Sequence, residues 1–221
     1  MKKVVSLMVA CLVLVSAFAL FAQETVALPK PKAKGMSLAD ALKKVLSDRV
    51  YADKALAIPD LSYVLWVTAG NRFGVDTYTG ASRTYPSAFG IYPVRMYLLV
   101  GKVDGVKPGF YQYVAADHGL KLLKEGDLRT QVVEGSQYAL FAAQAPAILV
   151  VTADLGKISG ERGRTVYLPM EVGYVAQTMR LAAASAGLSS GIIGSFEPAK
   201  AKALFGIKDE PILLLPFGYP R

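Results

Sequence analysis

The chain has one cysteine and one histidine in 221 residues. Cys11 lies inside an N-terminal apolar run, so the folded part has no disulfide and no thiolate chemistry. The single histidine, His118, falls in Ala116-Asp-His-Gly119, a sequence that reads as a hairpin turn. A Ser-His-Asp triad would need that ring buried in a site. A zinc centre lacks its ligands, so no metal is expected. Charged residues make up only 19%, and no helix carries a basic stripe, so nucleic acid is not an expected partner. A Gly-rich dinucleotide fingerprint of the Rossmann type is also absent. An enzyme built this way takes its hard chemistry from an organic cofactor.

What is present begins with Met1-Lys-Lys3 and an uncharged run from Val4 to Phe21. This is the pattern of a secretory signal, with Ala22 suited to the position before the cut. Ala17-x-Ala19 is a second cleavage candidate, and the run is just long enough to span a membrane if left uncut. A lipoprotein cut at Cys11 would leave too short an apolar region. There is no twin-arginine pair, which points to the general secretory route. The expectation is therefore an exported protein, periplasmic or extracellular, or one anchored by residues 1–22. Loss of those residues takes Lys2 and Lys3 and no acid, so the net charge falls from +8 to +6. That charge favours weak attraction to anions such as phosphates and lipid surfaces. Residues 23–36, with Pro29, Pro31 and Gly35, read as an extended tether.

The remainder, 37–221, reads as one domain of class α+β, a central sheet surrounded by helices. Ser37 and Asp40 resemble a capping box. Leu38, Ala41, Leu42, Val45 and Leu46 follow at helical spacing, and the helix ends at Ser47-Asp-Arg49. Pro59 opens a second helix that closes at Gly70. Residues 71–85 are aperiodic and read as a loop. Strands are expected over 94–101, 110–114 and 120–123, and a helix over 127–143. Residues 146–153 are an almost unbroken apolar run, the pattern of a strand covered on both faces. A loop over 156–165 precedes the longest helix, from Pro169 to about Ala186 with Gly187 after its end. Its recurring alanines allow close approach of another helix, either in a second copy or in the same chain. Residues 189–196 read as a strand and loop, 198–205 as a helix and 211–217 as the last strand.

The segment Arg83-Thr-Tyr-Pro-Ser-Ala-Phe-Gly-Ile-Tyr-Pro93 combines two rigid prolines, a glycine, a hydroxyl and aromatics just ahead of a strand. Tyr85, Phe89 and Tyr92 could wall a pocket, although core is the favoured place for Phe89. Pro86-Ser-Ala-x-Gly90-x-Tyr-Pro93 resembles the flavin-covering loop of the nitroreductase family, in the branch that includes the azoline-oxidising dehydrogenases. Four further stretches resemble that family in the expected order. Ser47-x-Arg49 is similar to the end of its phosphate-binding run, with Val45 where the family has a first arginine. Glu171, Gly173 and Gln177 match a helix motif to which structural roles are assigned. Gly191-Ile-Ile-Gly194-Ser-Phe196 resembles the strand end beside the reactive edge of the flavin. Leu215-Pro-Phe-Gly-Tyr-Pro220 resembles the family's ending.

The resemblance implies a nitroreductase-like fold with a mostly antiparallel sheet, FMN as cofactor and a homodimer. It implies that Ser47 and Arg49 hold the phosphate, with Arg221 as a further candidate. Pro86, Ser87, Ala88 and Gly90 would line the ring, from either subunit. Ile193, Gly194 and Ser195 would sit at its reactive edge, where Gly194 and Ser195 are the candidate catalytic positions. The implied reaction is two-step hydride transfer to or from a small-molecule substrate. That substrate is either a nitro compound, quinone or flavin reduced by NAD(P)H, or an azoline-type heterocycle that is oxidised. An exported enzyme would not meet NAD(P)H, which favours another donor or a membrane-associated redox partner. The competing reading is a degenerate relative that binds flavin weakly or not at all.

Overall fold

The computed structural model describes residues 24–72, 83–136 and 138–221. The expected signal at 1–22 lies outside them. Among the described residues no helix is long and apolar enough to cross a membrane.

Seven strands form one sheet: β1 (Thr25–Ala27), β2 (Val94–Val100), β3 (Gly109–Val114), β4 (Gly119–Glu125), β5 (Ala147–Ala153), β6 (Ser189–Ser190) and β7 (Glu210–Gly218). Their order is β1-β4-β3-β2-β5-β7-β6, and every pairing is antiparallel. β5 is buried at every position because both faces are covered, as its unbroken apolar run requires. On one face Leu98, Leu149 and Leu215 lie in register and pack on α2 (Ile58–Ala69) and α4 (Leu168–Ser185). On the other, Leu99, Ile148 and Leu214 pack on α3 (Arg129–Val133) and α5 (Pro198–Phe205). There the rings of Tyr97, Phe110 and Phe205 stack, with centroids 5.2 and 4.3 Å apart.

The alanines of α4 are taken up inside the chain. Ala176, Ala182 and Ala183 are buried in one cluster with Leu61, Val64 and Leu65 of α2. The small side chains let the two helices approach closely. Gly187 ends α4 at φ 73°, and the Leu188 N–H reaches back to the Ala183 carbonyl at 2.9 Å.

Several expectations need correction. The helix expected over 127–143 is broken into the short α3 and a 3-10 turn at Leu140–Gln144, because the chain turns at Gly135 with φ 87°. The loop expected over 156–165 is largely helical: a turn at Gly160–Arg162 and a π-turn at Gly163–Tyr167 lead directly into α4. In the strand and loop expected over 189–196, the strand is only Ser189–Ser190, and Ile193 adds an isolated bridge to Leu214. Part of the stretch read as a tether is the edge strand β1.

The first helix, α1 (Leu38–Lys44), starts as its sequence suggests. The Asp40 N–H donates to Ser37 Oγ at 3.1 Å. It stops a turn early, however, at the extended residue Val45. Its expected buried face is in the open: Leu38, Leu42 and Leu46 are 66, 52 and 63% exposed, and only Ala41 is buried.

His118 takes φ 44° in the β3–β4 turn. Its Nε2 lies 2.8 Å from Ser62 Oγ and its Nδ1 2.9 Å from the Tyr113 hydroxyl. Ser62 donates to the Pro29 carbonyl, so Nε2 carries the proton and Nδ1 accepts from Tyr113. Ser62 is wholly buried and no carboxylate takes the third place, so this is a clip for the N-terminal segment and not a triad. Burial pushes the pKa of His118 below 6.5. The stability it supports is therefore complete above that value and is lost as pH falls through the lowered one. Melting temperatures measured from about pH 8 to about pH 5 should fall more steeply for the native chain than for His118→Gln; equal slopes would contradict this role.

Candidate functional site

The run after α1 is held against the end of the sheet by backbone contacts. The Asp48 N–H donates to the Ser190 carbonyl at 3.0 Å, and Ala52 N–H to Tyr219 at 2.9 Å. The Tyr51 hydroxyl donates to the Pro216 carbonyl at 3.3 Å. Gly191 permits this crossing, because a Cβ there would lie 2.9 Å from the Asp48 carbonyl oxygen. The result is a cleft of about 290 Å³ that unites Ser47, Asp48 and Arg49 with residues 191–195, and Tyr138 and Phe141 complete its wall. Segments some 140 residues apart in sequence thus meet as the motifs require.

Within the cleft, Arg49 is exposed and its guanidinium lies 5.8 Å from the centroid of the Phe141 ring. Ser47 Oγ accepts from Arg180 Nη2 at 3.2 Å. The Nε of Arg180 is buried and has no partner. Ile193 exchanges backbone hydrogen bonds with Leu214 at 2.9 and 3.0 Å, so its N–H is committed to the sheet and is not available to a ligand. Gly194 and Ser195 are exposed. Among the described residues the N–H of Gly194 has no backbone partner. The Ser195 carbonyl accepts from Ser136 at 2.6 Å, which fixes the strand end.

Arg221 is exposed and does not line this cleft.

The proline-bracketed loop is elsewhere. Ala88–Gly90 form a short 3-10 turn, and Phe89, Gly90 and Tyr92 take φ values of 55°, 65° and 47°. Two non-glycine residues in that region mark a backbone held by its surroundings. The holder is Glu171 in the first turn of α4, which is 3% exposed. It accepts from Ser87 Oγ at 2.5 Å and from the Val94 N–H at 3.4 Å. Burial pushes the Glu171 carboxyl up, against the pull of these two donors. Ser87 Oγ also accepts from the Tyr92 N–H at 2.9 Å. The Ser87 hydroxyl thus folds the loop, committed to Glu171 and to the Tyr92 N–H and not left free as the resemblance implies.

Pro86 is exposed. Ser87 and Ala88 line a smaller cleft with Phe89, Tyr167, Leu168 and Glu171. Phe89 is 75% exposed, with its ring 5.9 Å from that of Tyr167; it is a pocket wall and not core. Tyr85 is the buried one. Between the two clefts runs an apolar groove along α4, from Leu168 through Gly173 and Gln177 to Arg180, closed on its far side by Ile192 and Leu213. It shares Leu168 with the loop's cleft and Ile192 with the Ser47 cleft.

The family model described as the nitroreductase family matches residues 43–219, a span that includes both clefts. The chain belongs to the nitroreductase family. A Methanocaldococcus jannaschii protein named as a nitroreductase is 31% identical over 198 residues, covering 88% of this chain and 97% of its own. Among solved structures, a Ralstonia eutropha nitroreductase superposes with a TM-score of 0.76 at 27% identity, covering 91% of each chain. The Escherichia coli microcin synthetase McbBCD, solved with truncated pro-MccB17 bound, shares the fold at TM-score 0.64 and 18% identity, covering 95% of this chain and 93% of that one. A Desulfovibrio desulfuricans nitroreductase solved with FMN shares it at TM-score 0.57 and 17% identity, over 84 and 87%.

Membership of the nitroreductase family makes this chain a flavin-dependent oxidoreductase. Its own residues fit a flavin nucleotide. The Ser47 hydroxyl and the Arg49 guanidinium share one cleft, and Arg180 reaches Ser47 from the adjoining groove, a set of donors that suits a phosphate. An exposed strand end with an uncommitted N–H suits the rim of a planar ring.

Proposed function

We propose that the chain is an exported, homodimeric enzyme that uses FMN to transfer hydride to or from a small organic substrate. The observation that carries this reading is the cleft in which Ser47 and Arg49 face Gly194 and Ser195. When bound, the flavin supplies the hydride chemistry. Ser47 and Arg49 hold its phosphate. The Gly194 N–H bonds the ring edge, a donor already in place where charge changes, and the Ser195 hydroxyl adds a second donor there. No side chain of the cleft is required as a general acid or base.

Pro86, Ala88 and Gly90 sit away from that cleft within one chain, so in this reading they reach the ring from the partner subunit. An exposed apolar surface supports the dimer. Leu38, Leu42, Leu46, Val50, Met170, Tyr174 and Ile192 are each 40 to 66% exposed, and α1 packs against α4. An apolar group of that size marks an interaction face. The exported location rests on residues 1–22, and it favours a donor other than NAD(P)H, including a membrane-associated redox partner.

The substrate is a nitro or quinone compound, or an azoline-type heterocycle. Val45 favours the competing reading of a weakened flavin site, since it brings no charge to the phosphate end. Anaerobic mixing of the purified protein with candidate donors decides between them. Bleaching of a yellow protein by a donor, and return of colour with an acceptor, is the expected result. A colourless protein that no flavin restores would overturn the reading.

A further inference from the structure

We propose that Arg180 is the second phosphate-binding cation of this site, doing from α4 what an arginine at position 45 would do from α1. The inference rests on the flavin reading above. α1 ends at Val45, so it delivers no charge to the cleft. Arg180 arrives instead from the helix that packs beside α1. Its Nη2 donates to Ser47 Oγ at 3.2 Å, which fixes the guanidinium at the hydroxyl expected to meet the phosphate. Its Nε is buried without a partner. Among the described residues it pairs with no carboxylate, whereas Arg95 and Arg129 both do. Among the described residues Asp48, which lines the Ser47 cleft, forms no ion pair either.

A buried Nε with no partner is costly to keep and is rarely left so, even on a side chain whose tip reaches solvent. An arriving dianion would meet it. The exposed end of the guanidinium, already at Ser47, can donate to the phosphate oxygens, the pairing that makes arginine the preferred partner of phosphate esters. Ser47 is then shared between ligand and cation, and Arg49 closes the other side. The chemical class recognised is a phosphate monoester on a flat ring system, so the site should distinguish FMN from riboflavin, which lacks the phosphate.

The test titrates both flavins into the full-length apoprotein and into Arg180→Met, Arg180→Lys and Val45→Arg/Arg180→Met. The native chain should prefer FMN. Arg180→Met should weaken FMN by about 10- to 100-fold, the usual worth of a charge-assisted contact, and leave riboflavin unchanged. Its apoprotein should melt no lower than the native one, since an unmet buried donor has gone. Arg180→Lys should fall between, and the Val45→Arg double variant should recover most of the loss. If Arg180→Met weakens both flavins equally, or keeps the FMN preference, the assignment of Arg180 is wrong and the flavin reading stands. If the native chain binds neither flavin, the flavin reading itself fails.

Discussion

Gly194→Val should cut FMN affinity by about 5- to 150-fold and turnover with it, because a branched side chain would stand where the ring edge is to lie. The range corresponds to the about 1–3 kcal/mol that a misplaced pair of methyl groups costs in a filled site. The substitution is a clean probe for a structural reason. A Cβ at Gly194 would meet nothing closer than Leu213 Cδ2 at 3.7 Å, an ordinary contact, and the position is exposed. The fold therefore tolerates the new side chain, and its melting temperature without ligand should hardly move. Gly191 is the contrast: there a Cβ would strike the Asp48 carbonyl oxygen, so Gly191→Val should damage folding and flavin binding together. Equal FMN binding by Gly194→Val and the native chain would remove this strand end from the site.

Leu42→Asp should dissociate the proposed dimer and strip the flavin. Leu42 is 52% exposed on α1, so in a monomer the change costs little, within the usual half kilocalorie of a surface substitution. At a two-fold seam the same residue is buried twice. Each copy would lose about 2 kcal/mol of apolar contact, and the dimer constant would weaken by about 10³-fold. Light scattering should then report a monomer, and the protein should be colourless because each ring has lost the loop from its partner. A monomer that keeps its flavin would show that one chain suffices. An unchanged dimer would place the seam elsewhere.

Much of this was legible in the sequence because the local signals and the tertiary fold agree. The apolar run of β5 demanded two covered faces, and α2 and α4 with α3 and α5 provide them. The pieces of the Ser47 cleft could be named because short backbone-dominated motifs survive in order along a chain. The misses have physical causes. Periodicity on α1 reports an apolar face but not which molecule covers it, so Leu38, Leu42 and Leu46 look like core and are not. The loop's conformation is set by Glu171, 84 residues away from Ser87; the pattern around Ser87 does not reveal that its hydroxyl is already taken. Phe89 is pushed outward by a positive φ that phenylalanine does not suggest. Arg180 sits 133 residues from Ser47. Its one signal in the sequence was a lone cation in the alanine-rich half of α4. The strand β1 was masked by the prolines that follow it, which read as a spacer.

The account depends most on a phosphate-bearing flavin being held by this chain, and thermal unfolding of the apoprotein with and without FMN measures that most directly. At a concentration about 100 times the dissociation constant, a ligand of the folded state adds about 2.7 kcal/mol. For a chain of this length that is a rise of roughly 5–11 °C in melting temperature, with a smaller rise for riboflavin at the same concentration. No shift with FMN, or the same shift with both, would contradict it.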